Sequence, residues 1–246
     1  MGSESISLLI DAGNTRIKWG VHDGAGWQVT GAIATADSGA AAKSWGAAGG
    51  ARGAVASNVA GRGVRADLEL ACSGAGILMR VIASQPAQLG VTNGYRDPSQ
   101  LGSDRWAALI AAHHAERGHK LVVNAGTALT IDALTDEGKF LGGVIVPGPA
   151  LMRRSLDRGT AELRLTEGGF LDFPASTPDA ITSGAIQAGA GAVARMCEVM
   201  AKRGAAPARV ILSGGAAAEI APHLPIAHAM HENLVLDGLA LIARSR

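Results

Sequence analysis

The feature that ties this chain most tightly to one kind of architecture is a repeat. Residues 8–20 read LLIDAGNTRIKWG and residues 121–133 read LVVNAGTALTIDA. Each runs an apolar strand into one polar residue, then Ala-Gly, then a small hydroxyl or amide residue, then a second strand. Solenoid repeats recur every ~20 to 50 residues, a far shorter period than this one, so the spacing predicts two halves of like fold. The alternative is a chance likeness between two short glycine-turn hairpins. Domain interfaces are a preferred place for clefts, so a ligand is expected between the halves. The halves are placed at residues 1–118 and 119–246.

Periodicity fills in the rest. Residues 5–9 read as a strand, and Ile17, Trp19 and Val21 alternate with Arg16, Lys18 and Gly20, so the chain opens on a hairpin. Over residues 103–117, Trp106, Leu109, Ile110 and His113 fall at helical spacing, with Ser103 as the expected N-cap and Gly118 as the stop. Strands follow at 120–123, 130–134 and 140–146. A long helix is expected over 178–203, capped by Thr177 with proline at its first position. Residues 209–212 read as a strand running into Ser213-Gly214-Gly215, followed by a short helix and a terminal helix from about residue 231. Residues 36–63, rich in Ala and Gly, read as a weakly specified surface region.

Composition narrows the function classes. The chain has 246 residues, 34 of them glycine, with 3% aromatics, a balance that points to tight turns and close backbone approaches. A net charge of +1 with no basic run argues against nucleic acid as the main partner. Cys72 and Cys197 have neither C-x-x-C spacing nor a zinc set around them, so they read as core or incidental thiols of a reducing compartment. No apolar run approaches the ~18 residues of a spanning helix, and no basic-then-apolar leader opens the chain. A cytoplasmic protein without a membrane partner is expected.

An ionised carboxylate at a strand end, such as Asp11, is costly to desolvate unless a cation or a set of donors faces it. Gly13 lets an anion approach the main chain, Asn14 and Thr15 supply donors, and Lys18 adds positive charge on the next strand. Those are the parts that triphosphate handling needs. The plain alternative is that Asp11 caps an ordinary hairpin by accepting from turn amides. Asp104, in the first turn of its helix, has a plain reading too, since an acid there is favourable by ~0.3–1 kcal/mol.

The stretches DAGNTRIKWG, YRDPSQLGSDRW, NAGTALTID, GGVIVPG and TPDAITSG occur in that order and together resemble the type III pantothenate kinases, members of the acetate and sugar kinase, Hsc70 and actin superfamily. The likeness spans roughly residues 6–240, and the YxxPxxLGxDR pattern before the second glycine turn is its specific signal. It implies an α/β fold of two similar ribonuclease H-like, actin-like ATPase domains, with mixed sheets, flanking helices and a cleft between them. It also implies the phosphorylation of pantothenate to 4'-phosphopantothenate by ATP with Mg2+, the first step of coenzyme A synthesis, in a homodimer.

The site residues follow from the same resemblance. Asp11, Ala12, Gly13, Asn14, Thr15, Arg16, Ile17 and Lys18 look like the first phosphate motif, with Asp11 near the magnesium-bound phosphates, and Thr127 resembles a further ATP contact. Asp104 resembles the catalytic base, which suits a carboxylate able to deprotonate an alcohol in line with the leaving group. Tyr95, Gly102, Ser103, Arg105 and Thr177 are similar to the residues around pantothenate, where a planar arginine fork matches a carboxylate. Gly214 and Gly215 sit where superfamily members bring a glycine pair close to adenosine. Many relatives have an aspartate where this chain has Asn124, an acid that helps hold a monovalent cation such as K+ or NH4+. The amide keeps an oxygen but no charge, which puts that cation in doubt, with Asp132 as a nearby carboxylate.

Two features read as structural: His113-His114, too close in sequence to share a helical face, and GRGVR at 61–65, a turn before a helix. The rival functions are a kinase for another small alcohol and a non-catalytic ATP-binding regulator, since some relatives carry the name Bvg accessory factor.

Overall fold

The computed structural model of the protein describes residues 7–45, 50–160 and 167–245. The chain divides into two compact units, one of residues up to 115 together with those from 233 onward, the other of residues 116–232.

The first unit is built on a five-stranded sheet of β1 (Ser7–Ala12), β2 (Arg16–His22), β3 (Trp27–Ala34), β4 (Gly53–Asn58) and β5 (Leu78–Val81), in the order β3-β2-β1-β4-β5. The first three strands pair antiparallel as a meander, and β1, β4 and β5 run parallel. Helix α1 (Arg62–Gly74) makes the crossover from β4 to β5, which parallel pairing requires. Side chains alternate along a strand, so Leu8, Ile10, Ile17, Trp19, Ala54 and Ala56 share one face and pack against Leu68 and Cys72 of α1. Leu9, Asp11, Val55 and Ser57 fall on the opposite face. Helix α2 (Ser103–Ala115) packs on that side of the sheet.

The second unit repeats the plan with β6 (Lys120–Ala125), β7 (Ala128–Leu134), β8 (Phe140–Pro147), β9 (Arg209–Ser213) and β10 (His228–Met230), in the order β8-β7-β6-β9-β10. Again the first three strands are antiparallel and the last two join in parallel. Helices α3 (Pro149–Gly159) and α4 (Thr177–Lys202) lie between β8 and β9. Leu121, Val123, Leu129, Ile131, Val210 and Leu212 form the core with Ala190, Val193 and Met200 of α4. The repeated hairpin is thus the seed of two sheets with the same strand order, the topology of a ribonuclease H-like domain present twice.

Four expectations need correction. The terminal helix, α5 (Leu234–Arg244), was assigned to the half 119–246 but belongs to the first unit, packed on α2 and β1. A Cβ at Gly238 would stand 2.0 Å from the Ala107 carbonyl oxygen, so glycine is what lets the two helices meet. The described residues of the stretch 36–63 are no loose surface: β4 lies in the middle of the first sheet, and Ala41, Trp45, Ala54 and Ala56 are core. Ala and Gly disguise that strand because a flat, close-packed position asks for small side chains. Ser103 is the first residue inside α2 and not its cap. Thr177 likewise opens α4 from inside, because Ser176 is the cap and accepts from the Asp179 amide.

Candidate active site

In the first unit the site grows from one row across the sheet. Asp11, next to last in β1, pairs with Lys18 of β2 on one side and Ser57 of β4 on the other. Directly paired residues point to the same face, so a carboxylate, an ammonium and a hydroxyl stand side by side. The turn beyond them, Gly13 to Thr15, is held from behind by Thr35. Its hydroxyl donates to the Gly13 carbonyl at 2.7 Å, and its amide donates to the Thr15 carbonyl at 3.0 Å. With those carbonyls committed inward, Asn14, Thr15 and Arg16 form the exposed rim. Ala12 and Ile17 turn their side chains into the core, so only their main chain is left to meet a ligand.

Helix α2 brings in Asp104. Ser57 and Ser103 meet hydroxyl to hydroxyl at 2.8 Å, which fastens the start of the helix to the row that contains Asp11. The carboxylate folds back over Gly102, where a Cβ would lie 2.5 Å from Asp104 Oδ1, and it accepts from the Arg105 amide at 2.8 Å. Burial pushes the pKa of Asp104 above the ordinary carboxylate range, against the pull of the Arg105 amide and charge. Asp11 is raised to about 7, first by burial, then by the nearby charge of Asp104, with Lys18 opposing. Two carboxyls in mutual electrostatic reach suit a hard cation with oxygen ligands.

Arg105 is buried, and its guanidinium donates to the Tyr95 hydroxyl at 3.0 Å and lies 5.7 Å from the centre of that ring. The preceding loop is knitted by Asn93, which accepts from the Tyr95 amide and donates to the Pro98 carbonyl, and by Asp97, which accepts from Ser99. Tyr95, Gly102, Ser103, Asp104 and Arg105 therefore form one structured patch, the patch that includes Asp11.

The second unit carries a matching row of Thr130, Asn124 and Ser213. Its turn at Gly126-Thr127 is backed by Gly148, which donates to the Thr127 carbonyl at 2.9 Å and where a Cβ would lie 2.1 Å from the Gly126 oxygen. Gly214 has φ +99°, and a Cβ there would meet the Ala125 oxygen at 2.4 Å and Asn124 Oδ1 at 2.6 Å. The Asn124 amide thus stands against the glycine pair that follows β9. Asp132, 2% exposed, is on the Asn124 face, one pairing step along β7 from Thr130. Thr177 is exposed at the start of α4, and with the capping done by Ser176 its hydroxyl has no cap to serve.

Ser57, Ser84 and Thr35 escaped sequence reasoning. The signal was present, since β1, β4, β6 and β9 all end an apolar run on a polar residue, in LLID, AVAS, LVVN and VILS. Cys72 and Cys197 are unpaired, both thiols are pushed up by burial, and Cys72 reaches about 11. The His113-His114 pair sits at the 89–90 turn, where a His114 ring nitrogen lies 3.0 Å from the Leu89 carbonyl. Among the described residues no helix is long and apolar enough to cross a membrane.

Two ribonuclease H-like sheets, each ending a glycine-turn hairpin on a polar cross-strand row, define an actin-like ATPase fold. Solved structures agree on the fold. A Baf-family protein from Campylobacter jejuni superposes with a TM-score of 0.60 at 20% identity over 96% of this chain and 97% of its own. The ethanolamine utilization protein EutJ from Carboxydothermus hydrogenoformans gives 0.55 at 14% identity, covering 96% and 89%. At such identities the likeness speaks for fold alone.

The sequence goes further, because the profile of the family described as type III pantothenate kinase matches residues 7–199. The type III pantothenate kinase of Nitrosospira multiformis is 45% identical over 96% of this chain and 90% of its own length. That of Aromatoleum aromaticum is 46% identical over 96% and 97%. The chain belongs to the type III pantothenate kinase family, and the regulatory rival is not favoured.

Proposed function

We propose that Asp104 is the general base of an ATP-dependent pantothenate kinase. The primary hydroxyl of pantothenate gives its proton to the Asp104 carboxylate as its oxygen bonds to the γ-phosphorus. The bond from that phosphorus to the bridging oxygen breaks, leaving ADP and 4'-phosphopantothenate. The observation that carries the reading is the place of Asp104, in the first turn of α2 and in electrostatic reach of Asp11, with a pKa raised by burial. A base shifted toward the working pH takes a proton more effectively in the transition state.

The other residues divide by chemistry. Gly13 to Thr15, with Arg16 and Lys18, offer main-chain and cationic groups to the phosphates, and Thr127 does so in the second unit. Asp11 would hold Mg2+ together with the phosphates, an ion that supplies neutralisation of charge on the transferring group. Arg105 and Tyr95 present a cation and an amphipathic ring, matching a substrate with a carboxylate, amides and a gem-dimethyl group. Thr177 is offered as a further pantothenate contact. Asn124 and Asp132 are the oxygen donors for a monovalent cation. A homodimer is supported by β8, an edge strand with Ile145 59% exposed.

The test is ADP release measured with pantothenate against a panel of small alcohols and sugars, for the wild type and Asp104→Asn. Pantothenate-dependent release should fall by ~10²- to 10⁴-fold in the variant with ATP still bound. Release that ignores pantothenate, or that survives the substitution, removes the assignment.

A further inference from the structure

Ser57 is completely buried at the end of an apolar strand, where a hydroxyl needs a reason. Its Oγ lies 2.8 Å from that of Ser103, itself 9% exposed. The bond joins the penultimate residue of β4 to the first residue of α2. Because Ser57 pairs in register with Asp11, it also places the helix start level with that acid. A second buried hydroxyl, Ser84, donates to the Leu101 carbonyl at 2.7 Å, so the segment leading into Asp104 is gripped at two points. The carboxylate then has its direction set locally, folded over Gly102 and bonded to the Arg105 amide.

We infer that Ser57 is a positioning residue, which through its hydroxyl pair with Ser103 sets where the first turn of α2 holds the Asp104 carboxylate relative to Asp11. This rests on the reading of Asp104 as the general base. Reacting groups displaced by an ångström lose rate while substrates still bind, so the expected mark of a positioning residue is a fall in kcat at nearly constant KM.

A buried hydroxyl pair has a plainer use, the mutual satisfaction of two polar groups, and double substitution separates the two. Ser57→Ala strands the Ser103 hydroxyl without its partner, whereas Ser57→Ala with Ser103→Ala removes both groups, which is close to neutral for stability. Steady-state kinetics with ATP and pantothenate, alongside thermal unfolding of the full chain, read both effects. We expect kcat to fall ~10-fold in the single and in the double variant, with KM for either substrate within about two-fold in Ser57→Ala, whose changed residue is not among those assigned to pantothenate. The double variant alone should regain the unfolding temperature.

If kcat returns together with the unfolding temperature, the pair is merely structural and the inference is overturned. It is equally overturned if Ser57→Ala keeps full kcat while Asp104→Asn is inactive, an outcome that leaves the base reading standing. An active Asp104→Asn enzyme is the separate result that removes the base reading and this inference with it.

Discussion

The two units share a strand order and differ in what they hang on it. In the first, the row at the strand ends is Lys18, Asp11 and Ser57; in the second, the equivalent row is Thr130, Asn124 and Ser213. The first row is charged and tied by a hydroxyl to a helix bearing another acid. The second is neutral and pressed against a glycine pair. The hairpins differ in the same sense, with a three-residue turn rimmed by exposed side chains in the first and a two-residue turn clamped by Gly148 in the second. A duplicated backbone therefore does not duplicate chemistry: the first row is built to manage charge, the second to let main chain come close.

Glycine substitution is the strongest way to probe that contrast. At Gly148 and Gly214 in the second unit the nearest obstacles are backbone atoms, and Gly214 also has positive φ. Gly214→Ala should cost on the order of 2–4 kcal/mol, read as a lower midpoint in urea or heat. In the first unit the obstacle at Gly102 is the end of a mobile side chain, the Asp104 carboxylate. Gly102→Ala should leave the unfolding midpoint nearly unchanged and lower kcat by ~10-fold or more, because the proposed base is displaced and the fold is not. Equal losses of stability in the two variants would erase the distinction.

A milder probe is pH. Asp11 has a pKa of about 7 in the folded chain against 3.8 for the free group, so between those values the folded state holds a proton there that the unfolded state has released. Stability from this group is therefore present below about pH 4 and is lost as pH rises through 7. Asp11→Asn, free of that charge, should match the wild type near pH 4 and exceed it well above pH 7 by up to about 4 kcal/mol in metal-free unfolding experiments. Asn124→Gln, at the neutral position, should show no such pH-dependent gain.

Much of this was legible in the sequence because it rests on local rules. The hairpins, α2, the first four strands of the second unit and the polar residue ending β1 follow from periodicity and turn chemistry, whereas the short edge strand β10 does not. The internal duplication followed from comparing residues 8–20 with 121–133. What stayed hidden depends on residues far apart in the chain. The strand at 53–58 reads as filler because its Ala and Gly carry no alternation, yet its neighbours β1 and β5 make it central. Placing α5 in the first unit needs the fit of Gly238 on Ala107, which no local pattern encodes. Ser57 looked like the edge of that filler until its hydroxyl met Ser103 across 46 positions.

The most direct test of the account is a crystal structure with pantothenate and a non-hydrolysable ATP analogue bound. The Asp104 carboxylate should lie within ~2.6–3.2 Å of the pantothenate primary hydroxyl, on the side of that oxygen away from the γ-phosphorus. A complex in which that hydroxyl faces the phosphorus while Asp104 stands beyond reach, with no water between them, would contradict it.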